Sequence, residues 1–248
     1  MFQFFVEKGQ VRDGNAYITG SDVNHIVNVL RMKKGEELRV VMDGDDNVYN
    51  CTVDDFAEGT VICKVLETLP ASSELPVKIV LFQGLPKSDK MELIIQKAVE
   101  LGACEIVPVK MKNAVVKLDD KKASAKITRW NMIAQSAAKQ SKRNIIPTVK
   151  DVLTYKEALE YMDSLDVKLL AYELADSDGM DNTRRILSEV KDGDKIGIII
   201  GPEGGFDESE VDAAVSKGIV PITLGRRILR TETAGMMFIS WIVYLLEK

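Results

Sequence analysis

The sequence predicts an α/β sheet domain behind a small β-rich domain. Three observations carry this. Short apolar runs broken by Asp/Gly/Asn turns occupy residues 1–70. From residue 77 apolar strands alternate with stretches of helical period. Between them lies Leu69-Pro70-Ala71-Ser72-Ser73-Glu74-Leu75-Pro76, two prolines among small and polar residues. The predicted division is 1–70, a linker at 71–76, and 77–248.

In the first part, Gln3–Val6 and Asn15–Thr19 flank the turn residues Asp13-Gly14. Glu37–Asp43 and Val48–Val53 flank a second turn, Asp43 to Asn47, and Gly59–Leu66 is one more strand. Such a series suggests a small barrel or sandwich. A helix from Asp22 to about Arg31 interrupts it, with Ser21 as the expected N-cap.

In the second part, Val77–Phe82 reads as a strand, Lys90–Leu101 as a helix stopped by Gly102, and Glu105–Val109 as a strand. A long helix follows over Lys121–Lys142. Then come a strand at Val167–Tyr172, a helix at Asn182–Val190 and a strand at Lys195–Ile200. A helix at Asp207–Lys217 opens on a capping box between Asp207 and Glu210. Pro221–Leu224 is the last strand and Thr231–Leu246 the last helix. Ile196-Gly197-Ile198-Ile199-Ile200 is apolar on both faces, as a central parallel strand covered on each side requires.

Composition narrows the function classes. Apolar residues at 46% supply a core without staples. The three cysteines form no C-x-x-C pair and there is one histidine, which speaks against a Cys/His zinc site. Sparse cysteines suit a reducing compartment, so a cytoplasmic protein is expected. Met1-Phe2-Gln3-Phe4-Phe5 lacks the basic start and apolar run of a signal peptide, and Met236–Leu246 is too short to span a bilayer.

The net charge of −5 speaks against nucleic acid, but its distribution does not. Lys110–Arg143 holds ten Lys or Arg against two acids. A basic island on an acidic chain is a candidate phosphate footprint; a solvated helix face is the other reading.

Two segments carry candidate chemistry. In Ile198 to Phe206 a buried strand runs into Gly201-Pro202-Glu203-Gly204-Gly205 and then a capped helix. Ligands of open α/β sheets sit beyond the carboxyl ends of strands, and glycines let backbone groups approach them. No Gly-Lys-Ser/Thr follows, so this is not a Walker loop. A tight structural turn is the alternative. The second segment, Leu224-Gly225-Arg226-Arg227-Ile228-Leu229-Arg230-Thr231-Glu232-Thr233-Ala234, again follows a strand and opens a helix. A helix start offers free N–H donors. Thr231 can serve as its cap, but capping does not explain Arg230 at that positive end.

Together these two loops resemble the SPOUT family of RNA methyltransferases. Further segments agree in order: Pro86 to Glu92, Gln96 to Gly102, Ala137 to Arg143 with Pro147, and His25 to Met32. The likeness spans nearly the whole chain. Lys110-Met111-Lys112-Asn113 departs from the family pattern of Arg or Ser. The resemblance implies a trefoil knot in the C-terminal domain, a PUA-like RNA-binding N-terminal domain and a homodimer. It also implies transfer of a methyl group from S-adenosylmethionine to N3 of a uridine in 16S rRNA, free or within the small ribosomal subunit, with no metal and no membrane. Tyr172, Glu173, Gly201, Pro202, Glu203, Gly204, Gly205, Leu224, Gly225, Ile228, Leu229, Arg230, Thr231, Thr233 and Ala234 would hold the cofactor, with Leu224, Ile228 and Leu229 packed on the adenine.

Uracil N3 carries a proton at neutral pH. Arg230 is therefore the candidate for stabilising charge on the flanking carbonyl oxygens, and Glu232 the candidate base; a helix-start carboxylate is the other reading of Glu232. RNA contacts fall to Arg31, Lys87, Lys97, Lys117, Arg129, Lys139, Gln140, Lys142 and Arg143. His25 reads as an RNA contact or a packed helix residue, and Trp130 as core. The sequence leaves open a different RNA such as tRNA, a non-catalytic RNA-binding protein on the same fold, and an unrelated nucleotide-binding enzyme.

Overall fold

The computed structural model describes residues 1–116, 118, 120–173 and 179–247. The chain forms two compact units, Met1–Glu74 with Ala138–Ile146, and Leu75–Ala137 with Pro147–Lys248.

The first unit is built from β1 (Phe2–Val6), β2 (Val11–Arg12), β3 (Asn15–Thr19), α1 (Ser21–Asn24), β4 (Glu37–Met42), β5 (Asn47–Ala57) and β6 (Thr60–Pro70). Among the described residues they form a sheet in the order β1-β4-β5-β6-β3-β2. Only the β1–β4 pairing in it is parallel. Asp13 and Gly14 both have positive φ, 52° and 74°, which a two-residue hairpin matched to the strand twist needs. Alternate residues point inward, so Ala16, Ile18, Leu38, Val40, Cys51, Val61 and Cys63 fill one core.

Two expectations change here. The helix predicted over Asp22–Arg31 is α1 followed by a π-helical turn, His25–Val29. Its cap is Gly20 and not Ser21, and no side chain bonds the free N–H groups. Val23, Ile26, Val27 and Val29 are β-branched and Asn24 and Asn28 are weak helix formers, so little but the buried Ile26 holds a regular helix there.

The other change concerns the linker. β6 runs on to Pro70, paired with Asn47. Ala71 N–H donates to Asp46 O at 2.7 Å, and Ser73 Oγ to Asn144 Oδ1 at 2.8 Å. Segment 138–146 is sewn into the same unit. Gln3 Nε2 donates to Arg143 O at 2.7 Å, Gly44 N to Asn144 O at 3.1 Å, and the Arg143 guanidinium faces Glu74. These partners are distant in sequence, so a linear reading divides the chain where the structure interleaves it.

The second unit contains β7 (Lys78–Gly84), α2 (Lys90–Glu100), β8 (Ala103–Lys110), α3 (Asp120–Gln140, whose last turn belongs to the first unit), β9 (Thr148–Val149), β10 (Leu153–Thr154), α4 (Tyr155–Met162) and β11 (Val167–Ala171). It continues with α5 (Asp181–Ser188), β12 (Lys195–Ile200), α6 (Glu208–Ser216), β13 (Val220–Ile222) and α7 (Thr231–Leu246). The described strands pair in parallel in the order β10-β8-β7-β12-β11-β13, with β9 beside β8.

Central β7 is buried from Ile79 to Gly84, which gives each face its own helices. Phe82 meets Tyr161 of α4 edge to face, centroids 5.6 Å apart, while Leu81 lies under Gly235 of α7. In β12 a Cβ on Gly197 would fall 2.5 Å from Leu165 Cδ1, so that position has no room for a side chain. Gly102 at φ +106° ends α2 as the sequence predicts. Trp130 is core, 2% exposed. Sequence reading overlooks α4, although Thr154 and Glu157 form its capping box and Ala158, Leu159 and Met162 its buried stripe.

Candidate active site

The chain segments after β11, β12 and β13 converge on one cavity of about 560 Å³. It opens beyond the carboxyl ends of these strands, where open parallel sheets place ligands.

Close approach of backbone shapes the loop after β12. Pro202 sits on Gly84, where an added Cβ would be 2.7 Å from both the Pro202 nitrogen and its Cδ. A Cβ on Gly204 would lie 2.9 Å from Asn113 O, and Asn113 Nδ2 donates to Gly204 O at 3.2 Å. Gly205 takes φ +67°. Phe206 closes the turn with its ring edge to face with Tyr172, centroids 6.4 Å apart. The Asp207–Glu210 capping box then starts α6 as predicted. Hydrogen bonds from Ser209 and Lys112 pull the Asp207 carboxyl down to about 2.

The loop after β13 turns at Gly225, φ +102°, whose N–H donates to Thr223 Oγ1 at 3.1 Å. It delivers Arg230 to the N-cap position of α7 with extended backbone and no side-chain cap. The cap expected of Thr231 is not made. Thr231 is buried, donates from Oγ1 to Gly201 O at 2.6 Å and accepts from Gln83 Nε2 at 2.8 Å. Its hydroxyl ties two cavity loops together instead. Sequence reasoning missed Gln83; the signal was a lone amide at the end of an all-apolar strand.

Of the residues assigned to the cofactor, Tyr172, Glu173, Gly201 to Gly205, Leu224, Gly225, Ile228 to Thr231 and Ala234 line the cavity. Thr233 does not. Ala171, Ile200, Phe206, Glu208, Thr223 and Arg227 join the lining without having been anticipated. Ile228 is 85% exposed and packs on nothing like a core.

The two candidate catalytic residues part company. Arg230 lines the cavity, whereas Glu232 is absent from its wall. The Glu232 carboxylate lies 3.4 Å from Lys90 Nζ, a charge contact without hydrogen-bond geometry, and its buried Oε2 has no hydrogen-bond partner. Lys90 also holds Glu203 Oε1 at 2.9 Å, and the Lys87 N–H donates to both Glu203 oxygens at 3.1 and 3.3 Å. The Glu203 bond raises the Lys90 ammonium above the ordinary lysine value against desolvation. Burial would raise Glu203, but the Lys90 bond and backbone donors outweigh it and hold that carboxyl low.

The basic residues assigned to RNA are largely paired. Lys97 bonds Glu100 at 2.8 Å, and Arg129 grips Glu92 at 2.7 and 2.8 Å. Lys87 is exposed. Lys117 lies outside the described residues. In the first unit Arg31, Gln140 and Lys142 are exposed, Arg31 and Lys142 with positive φ. Lys139 bonds Asp22 at 2.7 Å. Arg143 is placed differently from the exposed ones. Its side chain is 4% exposed and turned onto Glu74. His25 is exposed, 6.3 Å centroid to centroid from Phe4. Among the described residues no cluster of three or more His, Cys, Asp or Glu suits a metal, and no helix is long and apolar enough to cross a membrane.

Comparison with known proteins agrees with this layout. Residues 73–243 match the RNA methyltransferase domain family, and residues 18–66 match the RNA methyltransferase PUA domain family. The Ribosomal RNA small subunit methyltransferase E of Bacillus subtilis is 40% identical, over 100% of this chain and 98% of that protein. The protein of the same name from Mesomycoplasma hyopneumoniae is 34% identical, over 97% and 98%. Among solved structures, the Neisseria gonorrhoeae Ribosomal RNA small subunit methyltransferase E bound to S-adenosyl methionine is 30% identical. It superposes with a TM-score of 0.85, over 99% of this chain and 98% of that one. A putative methyltransferase from Legionella pneumophila with the same bound cofactor is 27% identical, TM-score 0.84, over 98% and 97%.

Proposed function

The chain belongs to the RNA methyltransferase family, and from that premise we propose that it transfers a methyl group from S-adenosylmethionine to N3 of a uridine in 16S rRNA of the small ribosomal subunit. The carrying observation is the cavity where Gly201–Gly205 and Leu224–Ala234 meet beyond the strand ends. Its volume falls in the range of cofactor pockets. The turn at Gly205, where an added Cβ would meet nothing within 4 Å, leaves backbone groups open to a ligand. When bound, the cofactor's sulfonium supplies an electrophilic methyl group.

This chain's residues do the rest. Backbone N–H and C=O groups of Gly201–Gly205 and Leu224–Ile228 would hold the adenosine, with Leu224 and Leu229 beside it. Arg230, on the cavity wall, stabilises negative charge on the uracil oxygens as N3 loses its proton. Glu232 stays the candidate base only if its carboxylate turns from Lys90 towards substrate. Exposed Arg31, Lys87, Gln140 and Lys142 are the RNA contacts that need no ion pair to be broken.

Residues 1–70 serve in this reading as a PUA-like RNA-binding domain and 77–248 as the catalytic domain, whose chain carries the family's trefoil knot. A homodimer is supported by exposed apolar side chains on α2 and α7: Leu93 at 42%, Leu245 at 48% and Tyr244 at 86%. The cytoplasm, where ribosomes are assembled, is the proposed location.

The test is incubation with labelled S-adenosylmethionine and small subunits lacking N3-methyluridine, followed by nucleoside analysis. Label in N3-methyluridine is the expected result. Label in another nucleoside, or none, overturns the assignment of substrate.

A further inference from the structure

Three separate stretches of chain meet at one ammonium group. Lys90, the first residue of α2, has Nζ 2.9 Å from Glu203 Oε1 and 3.4 Å from Glu232 Oε2. Glu203 belongs to the cavity loop after β12, and Glu232 is the second residue of α7. The Lys87 N–H groups the same segment around Glu203 from a second direction. Lys90 itself is absent from the cavity wall. A cation that bonds one carboxylate and faces a second from outside the cavity wall acts on the pocket's shape and not on the ligand.

We infer that Lys90 is a positioning residue, a latch that fixes the Gly201–Gly205 loop and the start of α7 relative to each other. Resting on the reading of this cavity as the S-adenosylmethionine site, it sets how well that cofactor is held. Without the ammonium, Glu203 keeps only its backbone donors, and two carboxylates face each other with no cation between them. Like charges repel, so both loops spread. Charge-assisted bonds are the stronger kind, and loss of one from a surface this near the cavity changes an equilibrium by about tenfold.

The test compares Lys90→Gln, Lys90→Arg, Glu203→Gln and the double variant Lys90→Gln/Glu203→Gln. The first readout needs no cofactor: hydrogen exchange at the amides of Lys87, Gly205 and Thr233, which bond to Glu203, Pro202 O and Arg230 O. Lys90→Gln is expected to speed exchange there about tenfold, with Lys90→Arg close to the parent because arginine can reach both carboxylates. The second readout is methyl transfer. KM for S-adenosylmethionine rises about tenfold in Lys90→Gln while KM for RNA holds, and the effect shrinks in the Glu203→Gln background because the two act through one bond.

Unchanged exchange in Lys90→Gln overturns the latch. So does additivity of the two substitutions. Faster exchange in a protein whose parent binds no S-adenosylmethionine keeps the latch and overturns the cofactor reading instead. If Lys90→Gln does not fold, Glu203→Ala carries the test, since it removes the acceptor of the same bond from the other side.

Discussion

Gln83 and Thr231 join the centre of the sheet to the start of the last helix: the amide Nε2 donates to the hydroxyl Oγ1 at 2.8 Å, and that hydroxyl donates onward to Gly201 O at 2.6 Å. Both side chains are buried. Thr231→Val keeps the shape and removes both bonds. Leaving buried groups short of a partner costs about 1–3 kcal/mol, which urea unfolding would register. A change below about 0.5 kcal/mol, the size of a surface substitution, would sink this account of Thr231.

Gly204 is closed to any side chain by Asn113, whose carbonyl oxygen would stand 2.9 Å from an added Cβ. Gly204→Ala must therefore displace either the cavity loop or the segment carrying Asn113. The expected outcome is a folded protein with S-adenosylmethionine affinity down about tenfold or more, roughly the factor that 1.4 kcal/mol of strain produces. Titration calorimetry measures it, and parental affinity would mean the loop does not set the binding geometry.

Arg143 and Glu74 differ in burial, the side chains being 4% and 27% exposed. The Glu74 carboxylate accepts from the Asn144 N–H at 2.8 Å as well as from the Arg143 guanidinium, so Glu74→Gln weakens more bonds and is expected to destabilise more than Arg143→Met. Breaking a buried pair from one side costs about 3–5 kcal/mol; the partial exposure of Glu74 puts Arg143→Met below that range. Chemical unfolding of both variants gives the order, and the reverse order would refute the argument.

Asp207 has its carboxyl held down at about 2, first by the Ser209 hydroxyl and then by Lys112, from an ordinary value of 3.8. A depressed carboxyl adds stability that is fully present above the unfolded value and is lost as pH falls through the folded one. The advantage of the parent over Asp207→Asn should thus hold at pH 7, begin to shrink near pH 4 and be mostly lost by pH 2. Melting temperatures at the three pH values measure this. A gap that does not change with pH would assign the cap to geometry and not to charge.

The sequence showed where local chemistry decides. Lys195–Ile200 and Thr231–Leu246 come out with the bounds read from apolar pattern, and the Asp207–Glu210 box is in place. It failed where partners are remote. Lys139 and Arg143 count as free charge in a linear tally because Asp22 and Glu74 stand 117 and 69 residues away. The π-helical turn at His25 was hidden for another reason, since periodicity cannot separate a weak helix from a wider one. In the site, the glycine loops were legible, but the supports behind them were not. Gln83 and Lys90 reach the cavity through Thr231 and Glu203.

Segment 138–146 completes a unit that begins at Met1. During synthesis, at about 5–20 residues per second, several seconds separate the emergence of Glu74 from that of Ile146. Throughout that interval Gln3, Asp22, Gly44 and Glu74 wait for partners that have not yet been made. The first portion of the chain to leave the ribosome therefore stays unfinished until Ile146 has followed it. A nascent chain halted between these points would expose the first unit to proteases that a chain halted after Ile146 resists.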